Sequence, residues 1–108
     1  MESKYKLRYL PLFYDDANEA ITYISDTLKN QVAAQRLIDD IEKAILDRLP
    51  RAESFMMYPS SRERENQYYT IRISNFTVFY VVLNEGTCKI MEVRRLLYSR
   101  RDLNKLLQ

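Results

Sequence analysis

The stretch of sequence that decides the fold is residues 69–83, YTIRISNFTVFYVVL. Its first five residues alternate between large apolar side chains and two polar ones, Thr70 and Arg72, a pattern that predicts a strand with one buried face. After a Ser-Asn pair, residues 76–83 are almost entirely apolar, as expected of a central strand that is covered on both faces. The two residues between these strands therefore predict a tight hairpin.

The residues after this hairpin predict one more strand and a short helix. Residues 84–87 contain the only glycine of the chain, Gly86, and form a second turn in which a positive φ is expected. Residues 88–97 are the predicted last strand. Residues 99–102, SRRD, resemble the cap of a helix, which predicts a short C-terminal helix over the leucines that follow.

Before the hairpin, the pattern predicts a short strand and two helices. Residues 5–10 alternate, and Pro11 ends the strand. Apolar side chains then recur at helical spacing in residues 13–28 and again in residues 34–49, where Pro50 closes the run. Because only a few residues join them, two helices of this length form an antiparallel hairpin.

The predicted architecture is therefore α+β with the order β-α-α-β-β-β. It consists of a helical hairpin packed on a mainly antiparallel four-stranded sheet, followed by a short C-terminal helix. The chain has 108 residues, and no repeat or linker divides it. We therefore expect one hydrophobic core and a single domain over residues 1–108.

The composition excludes several classes of function. The chain has no histidine and one cysteine, Cys88, which rules out ordinary zinc and iron–sulfur sites and every mechanism that uses a histidine base. We therefore expect neither a metal nor a cofactor. The longest apolar run is far shorter than the roughly 20 residues of a membrane span, and the amino terminus lacks the apolar core of a signal peptide. These observations predict a cytoplasmic protein.

Positive charge is concentrated towards the carboxyl end. The formal net charge is +2, with a balance of −2 over residues 1–50 and +4 over residues 51–108. We interpret the excess as an anion-binding surface for a nucleic acid or another target. The predicted members of this surface are Arg72, Arg94, Arg95, Arg100 and Arg101. The alternative interpretation is that these side chains pair with acidic residues of the same chain.

The positions of these arginines bear on that choice. Arg94 and Arg95 are neighbours in a strand, so their side chains point to opposite faces unless the strand bulges or ends there. Arg100 and Arg101 open the predicted last helix, where the helix dipole disfavours positive charge. An anion at that point would be bound both by the arginines and by the unpaired N–H groups of the first turn.

Proton-transfer groups are scarce in a chain without histidine. Tyr98, between the last strand and the C-terminal helix, can stack on a base or donate a hydrogen bond through its hydroxyl group. Glu63 and Glu65, in the long segment of residues 50–67, are the other candidates.

Three parts of the sequence together resemble the RelE/ParE toxin superfamily of bacterial type II toxin–antitoxin modules. They are the helical hairpin, the stretch 69–80 (YTIRISNFTVFY) and the ending 93–103 (VRRLLYSRRDL). The resemblance covers nearly the whole chain, and its specific part is the final forty residues. It implies that the protein is the growth-inhibiting toxin of a plasmid-stabilisation module. A cognate antitoxin protein neutralises such a toxin.

The two branches of this superfamily imply different targets. ParE-like members poison DNA gyrase, whereas RelE-like members are mRNA interferases that cleave ribosome-bound mRNA. In the RelE pattern an arginine follows the aromatic residue that begins the apolar strand, and a histidine often precedes the basic turn; these positions hold Thr77 and Tyr98 here. We therefore prefer a gyrase inhibitor. In the alternative, a nuclease, the candidate catalytic residues are Arg72, Arg95 and Tyr98. A nucleic-acid-binding module without toxicity is the third possibility.

Overall fold

Four strands and two long helices follow one another in the predicted order in the computed structural model, which describes residues 5–55 and 68–98. The strands are β1 (Tyr5–Tyr9), β2 (Tyr69–Ile73), β3 (Phe76–Glu85) and β4 (Cys88–Tyr98). The helices are α1 (Pro11–Thr22) and α2 (Gln31–Arg48), with a π-helical turn at Tyr23–Thr27 and a 3₁₀ turn at Leu49–Arg51. The α+β prediction is confirmed, and the predicted C-terminal helix lies outside the described residues.

The sheet has the strand order β1-β4-β3-β2. β3 pairs antiparallel with β2 and β4, and β1 pairs parallel with β4. The two hairpin turns contain residues with positive φ, Ser74 at 53° and Gly86 at 63°. β1 ends at Tyr9, opposite Val93. Within the described part of the chain, residues 94–98 of β4 therefore have a strand partner on one side only.

The core lies between the helices and one face of the sheet, which we call the helix face. Buried strand residues of this face are Tyr5, Tyr69, Ile71, Ile73, Val78, Tyr80, Met91, Val93 and Leu96. The helices contribute Phe13, Leu37, Ile41 and Ile45. These helical residues belong to the apolar runs that the sequence pattern identified. Phe79 and Val81 alternate with the core residues of β3 and are buried on the opposite face, the outer face.

The first helix ends earlier than its apolar run predicts. After α1, the N–H of Leu28 donates to the carbonyl of Tyr23, five residues earlier, at 3.1 Å, which is the spacing of a π-helical turn. Lys29 then has a positive φ of 50°. The Asn30 side chain caps α2 by accepting a backbone N–H of its first turn at 3.0 Å. Because the chain turns here, Leu28 is 56% exposed instead of lying in the core.

A β-bulge interrupts β4 at Arg94. Phe79 of β3 pairs with Arg95, and the next residue, Tyr80, pairs with Val93. Arg94 is therefore an extra residue in β4 without a partner in this register. The bulge reverses the faces that the following residues use. Leu96 therefore shares the helix face with Val93, although strict alternation would place them on opposite faces.

Candidate functional site

The structure describes four of the candidate site residues. Arg72 lies on β2, and Arg94, Arg95 and Tyr98 lie on β4. The remaining candidates, Arg100, Arg101, Glu63 and Glu65, lie outside the described residues. The four described side chains do not form one cluster: Arg95 and Tyr98 line the same groove, whereas Arg72 and Arg94 do not line it.

Asp16 of α1 holds Arg95 in an ion pair with two hydrogen bonds. Nε and Nη2 of Arg95 donate to the two carboxylate oxygens at 2.7 and 3.0 Å. The same carboxylate accepts the backbone N–H of Leu96 at 3.0 Å, beyond the point where β1 ends. The hydrogen bond to Asp16 raises the pKa of Arg95. The positive charge of Arg95 is therefore neutralised within the chain.

Glu92 is buried on the outer face and binds two arginines. Its Oε1 accepts a hydrogen bond from Nε of Arg94 at 2.8 Å, and its Oε2 accepts bonds from Nε and Nη2 of Arg8 at 2.9 and 2.7 Å. Arg8 also pairs with the exposed Glu85 at 3.0 Å. Burial raises the pKa of Glu92, but the hydrogen bonds from Arg94 and Arg8 outweigh it and lower the pKa below its usual value. Arg94 and Arg95 are thus paired with acidic residues of the same chain, which is the alternative interpretation of the basic residues.

Arg72 and Tyr98 lie on opposite faces of the sheet. Arg72 alternates with the core residues Ile71 and Ile73, so its exposed side chain is on the outer face. Tyr98 packs edge-to-face on Phe76 on the helix face, with ring centroids 5.4 Å apart. Because the sheet lies between them, the two side chains do not converge on a common point. The three candidate nuclease residues are therefore not brought together at one point, although Arg95 and Tyr98 line the same groove.

Replacing Arg72 by alanine is expected to change the free energy of unfolding by no more than about 0.5 kcal/mol. Its side chain is exposed and forms no ion pair with any residue in the described ranges. Arg95→Ala is the comparison, since it removes the partner of Asp16 and should cost more. Urea unfolding of both variants measures the difference. Equal losses would mean that Arg72 has a structural role.

A groove of about 860 Å³ lies between the helical hairpin and the end of the sheet. Its main apolar lining residues are Ala20, Tyr23, Ile24, Leu28, Leu37, Phe76, Leu96 and Tyr98. Its charged lining residues are Asp16, Glu19, Arg36, Asp40 and Arg95. The sequence pattern did not predict this groove. The apolar run of residues 13–28 could have indicated it, because the run extends to Leu28, which is exposed and does not belong to the core.

The described residues offer no metal-binding cluster. Over residues 5–55 and 68–98, no three His, Cys, Asp or Glu side chains lie close enough together to hold a metal ion. Cys88 is half-buried and not in a disulfide. No helix in the same ranges is long and apolar enough to cross a membrane.

Comparisons with known proteins agree with this architecture. The sequence pattern of one protein family, described as "ParE toxin of type II toxin-antitoxin system, parDE", matches residues 7–103. A solved structure described as the chromosomal ParDE TA system from P. aeruginosa is similar with a TM-score of 0.68 and 13% sequence identity. The match covers 90% of this chain and 98% of that chain, and at this identity it shows a shared fold. No curated protein matches the sequence.

The architecture places the chain among the α+β domains in which a helical hairpin packs on a four-stranded sheet. The family pattern then covers most of the chain. The chain belongs to the ParE toxin family of type II toxin–antitoxin systems. The resemblance found in the sequence is thus confirmed at the level of the family.

Proposed function

We propose that this toxin inhibits bacterial growth by binding DNA gyrase and that a cognate antitoxin neutralises it. Membership of the ParE toxin family supports the toxin and its antitoxin partner. The observation that favours gyrase over mRNA as the target is the placement of Arg72 and Tyr98 on opposite faces of the sheet.

Cleavage of RNA requires several groups at one phosphate. A proton-transfer group must reach the 2′-OH, and cationic groups must stabilise the charge that develops on the phosphate oxygens. Among the described residues, Tyr98 is separated from Arg72 by the sheet, and Asp16 already engages Arg95. Inhibition of gyrase needs a complementary surface and no proton transfer, so this arrangement of side chains is compatible with it.

Two assays on the purified chain test this proposal. We expect inhibition of supercoiling by purified gyrase and no cleavage of mRNA on translating ribosomes. Cleavage without gyrase inhibition would identify the RelE-like nuclease instead. If neither activity is found, a nucleic-acid-binding module without toxicity becomes the better explanation.

Replacing Tyr98 by phenylalanine is expected to leave toxicity nearly unchanged. The substitution removes the hydroxyl group and preserves the ring, which packs on Phe76. If the hydroxyl group transferred a proton, its loss would lower the cleavage rate by a factor on the order of a hundred or more. Growth arrest after induction, measured beside the melting temperature, distinguishes the two cases. A stable but non-toxic Tyr98→Phe variant would contradict the gyrase proposal.

A further inference from the structure

Two arginines flank the edge of the sheet that β2 forms. β2 is the last strand in the order β1-β4-β3-β2, so within the described part of the chain it has a strand partner on one side only. Arg48 of α2 reaches this edge, where its Nη1 donates to the carbonyl oxygen of Thr70 at 3.1 Å. Arg72, two residues further along β2, extends its exposed side chain on the outer face. A guanidinium group therefore lies on each side of the edge.

An aromatic ring and a third arginine belong to the same region. The guanidinium carbon of Arg48 lies 3.5 Å from the centroid of the Phe55 ring, and that of Arg51 lies 5.7 Å from it. Phe55 is 40% exposed, and Arg51 is exposed as well. Arg48, Arg51, Arg72 and Phe55 thus form a surface with three cations and an accessible ring, which we call the β2 edge surface.

The arginines of the β2 edge surface differ from those of β1 and β4 in their partners. Arg8, Arg94 and Arg95 each bind a carboxylate oxygen at a distance below 3.0 Å. The three arginines of the β2 edge surface form no ion pair with any residue in the ranges 5–55 and 68–98. Their positive charge is therefore available to an anion from outside the chain.

The surroundings of Arg48 make this availability significant. Its side chain is half-buried, and its Nη1 donates to a carbonyl oxygen and a hydroxyl oxygen, both of which are neutral. Glu53, the one acidic residue of the segment 48–55, pairs with Lys89 instead at 2.6 Å. A partly buried cation without a counter-charge is costly, and a bound anion would offset that cost.

We propose that the β2 edge surface binds a single strand of nucleic acid, with phosphate groups at the arginines and an unpaired base stacked on Phe55. A guanidinium group can bind two phosphate oxygens through parallel hydrogen bonds, and every base has a face that can stack on an aromatic ring. The inference goes beyond the proposed function, since inhibition of gyrase as proposed requires no contact between the toxin and a nucleic acid.

The exposed ring favours a nucleic acid over an acidic peptide. Carboxylate groups of a peptide would use the three cations but not the ring, whereas a nucleic-acid strand supplies phosphates and planar bases together. The position also revises the anion-binding surface that the sequence predicts. Among its described members, Arg72 alone has no acidic partner in the described ranges, and the structure adds Arg48 and Arg51 beside it.

Fluorescence anisotropy with labelled oligonucleotides tests the charge contacts. Single-stranded DNA, single-stranded RNA and duplex DNA of one mixed sequence are titrated in separate arms, and the tighter single strand identifies the sugar. We expect Arg51→Gln/Arg72→Gln to weaken single-strand binding at least tenfold. It should also reduce the slope of log K against log salt by roughly 1.4, because each phosphate contact contributes about 0.7. Arg48 is left in place because it also binds the Tyr80 hydroxyl group.

The matched control removes the same charge elsewhere. Lys6 is exposed on β1, at the other edge of the sheet, and Lys29 is exposed in the turn before α2. The double variant Lys6→Gln/Lys29→Gln should bind within twofold of the wild type and keep its salt slope. Equal losses in the two double variants would mean that only net charge matters, and the inference would then be wrong.

A second pair of variants tests the stacked base. Phe55→Ala should weaken single-strand binding about fivefold or more, as expected when one stacked base loses its ring. Val32→Ala, which removes an apolar side chain that is 71% exposed on α2, should not change it. Both variants should keep a melting temperature near that of the wild type, since neither side chain is in the core. Equally tight binding of duplex DNA would contradict the stacking contact.

The remaining outcomes separate the inference from the proposed function. If the wild type inhibits gyrase but binds no oligonucleotide, the inference is wrong and the proposed function stands. A glutamate-rich peptide that binds more tightly than the oligonucleotides, with an affinity that Phe55→Ala leaves unchanged, would assign the surface to an acidic protein and overturn the inference. A wild type that binds single strands through these residues but does not inhibit gyrase would support the inference and contradict the proposed function.

Discussion

Replacing Glu92 by glutamine is expected to lower the free energy of unfolding by about 3 kcal/mol at pH 7. Glutamine preserves the volume of the side chain but removes the negative charge that Arg8 and Arg94 share. Removal of one partner from a buried ion pair leaves the other charge uncompensated. Arg8 is partly exposed and can turn towards water, so Arg94 should carry most of the cost. Urea unfolding measures the loss.

This loss should shrink as the pH falls. The unfolded pKa of a glutamate is about 4.3, and hydrogen bonds to the two arginines lower the pKa of Glu92 in the folded state. The stabilisation is therefore fully present above the unfolded value and disappears as the pH falls through the folded value. The control is Glu85→Gln, which removes the exposed partner of Arg8 and should cost less than about 1 kcal/mol. A Glu92→Gln variant no less stable than this control would contradict the account.

Replacing Asp16 by alanine is expected to destabilise the fold by about 2 to 3 kcal/mol. The change leaves the backbone N–H of Leu96 and the guanidinium group of Arg95 without their acceptor. This carboxylate links α1 to β4, and its side chain is only 11% exposed. Thermal unfolding of the purified variant, followed by circular dichroism, measures the effect.

Two further substitutions define what Asp16 contributes. Asp16→Asn keeps an oxygen that can accept the N–H of Leu96 but loses the charge that binds Arg95, so an intermediate loss is expected. Asp15→Ala, at the exposed neighbouring position, should change stability by less than about 0.5 kcal/mol. If the Asn and Ala variants were equally unstable, the hydrogen bond to the backbone would contribute nothing measurable.

The sequence was sufficient to predict the strands and helices that the structure describes, and their order, because these depend on local patterns. The helical spacing identified Leu37, Ile41 and Ile45, which lie in the core. The alternation in residues 69–73 placed Arg72 on the solvent side of its strand, and the strand is found at Tyr69–Ile73. The family was identified by the resemblance of three stretches of the sequence to known toxins, and the family match over residues 7–103 confirms it.

The surroundings of the candidate site could not be predicted from local patterns. The pairing of Asp16 with Arg95 joins residues 79 positions apart and depends on how α1 docks beside the end of β1. The sequence indicated that Arg94 and Arg95 diverge unless the strand bulges, but nothing in the residue types showed that a bulge occurs there. The groove likewise exists only after the hairpin packs on the sheet, so its lining residues are scattered along the chain.

The bulge at Arg94 changes the phase of β4, that is, whether odd- or even-numbered residues face the helices. Upstream of it, odd-numbered positions such as Val93 face the helices; downstream of it, even-numbered positions such as Leu96 do. Removal of Arg94 would restore a single phase and leave Tyr98 opposite Phe76 on the helix face, whereas pairing the same residues without a bulge would carry Tyr98 onto the face that holds Arg72. The bulge, and not the chemistry of the side chains, thus places this phenol and this guanidinium group on different faces of the sheet.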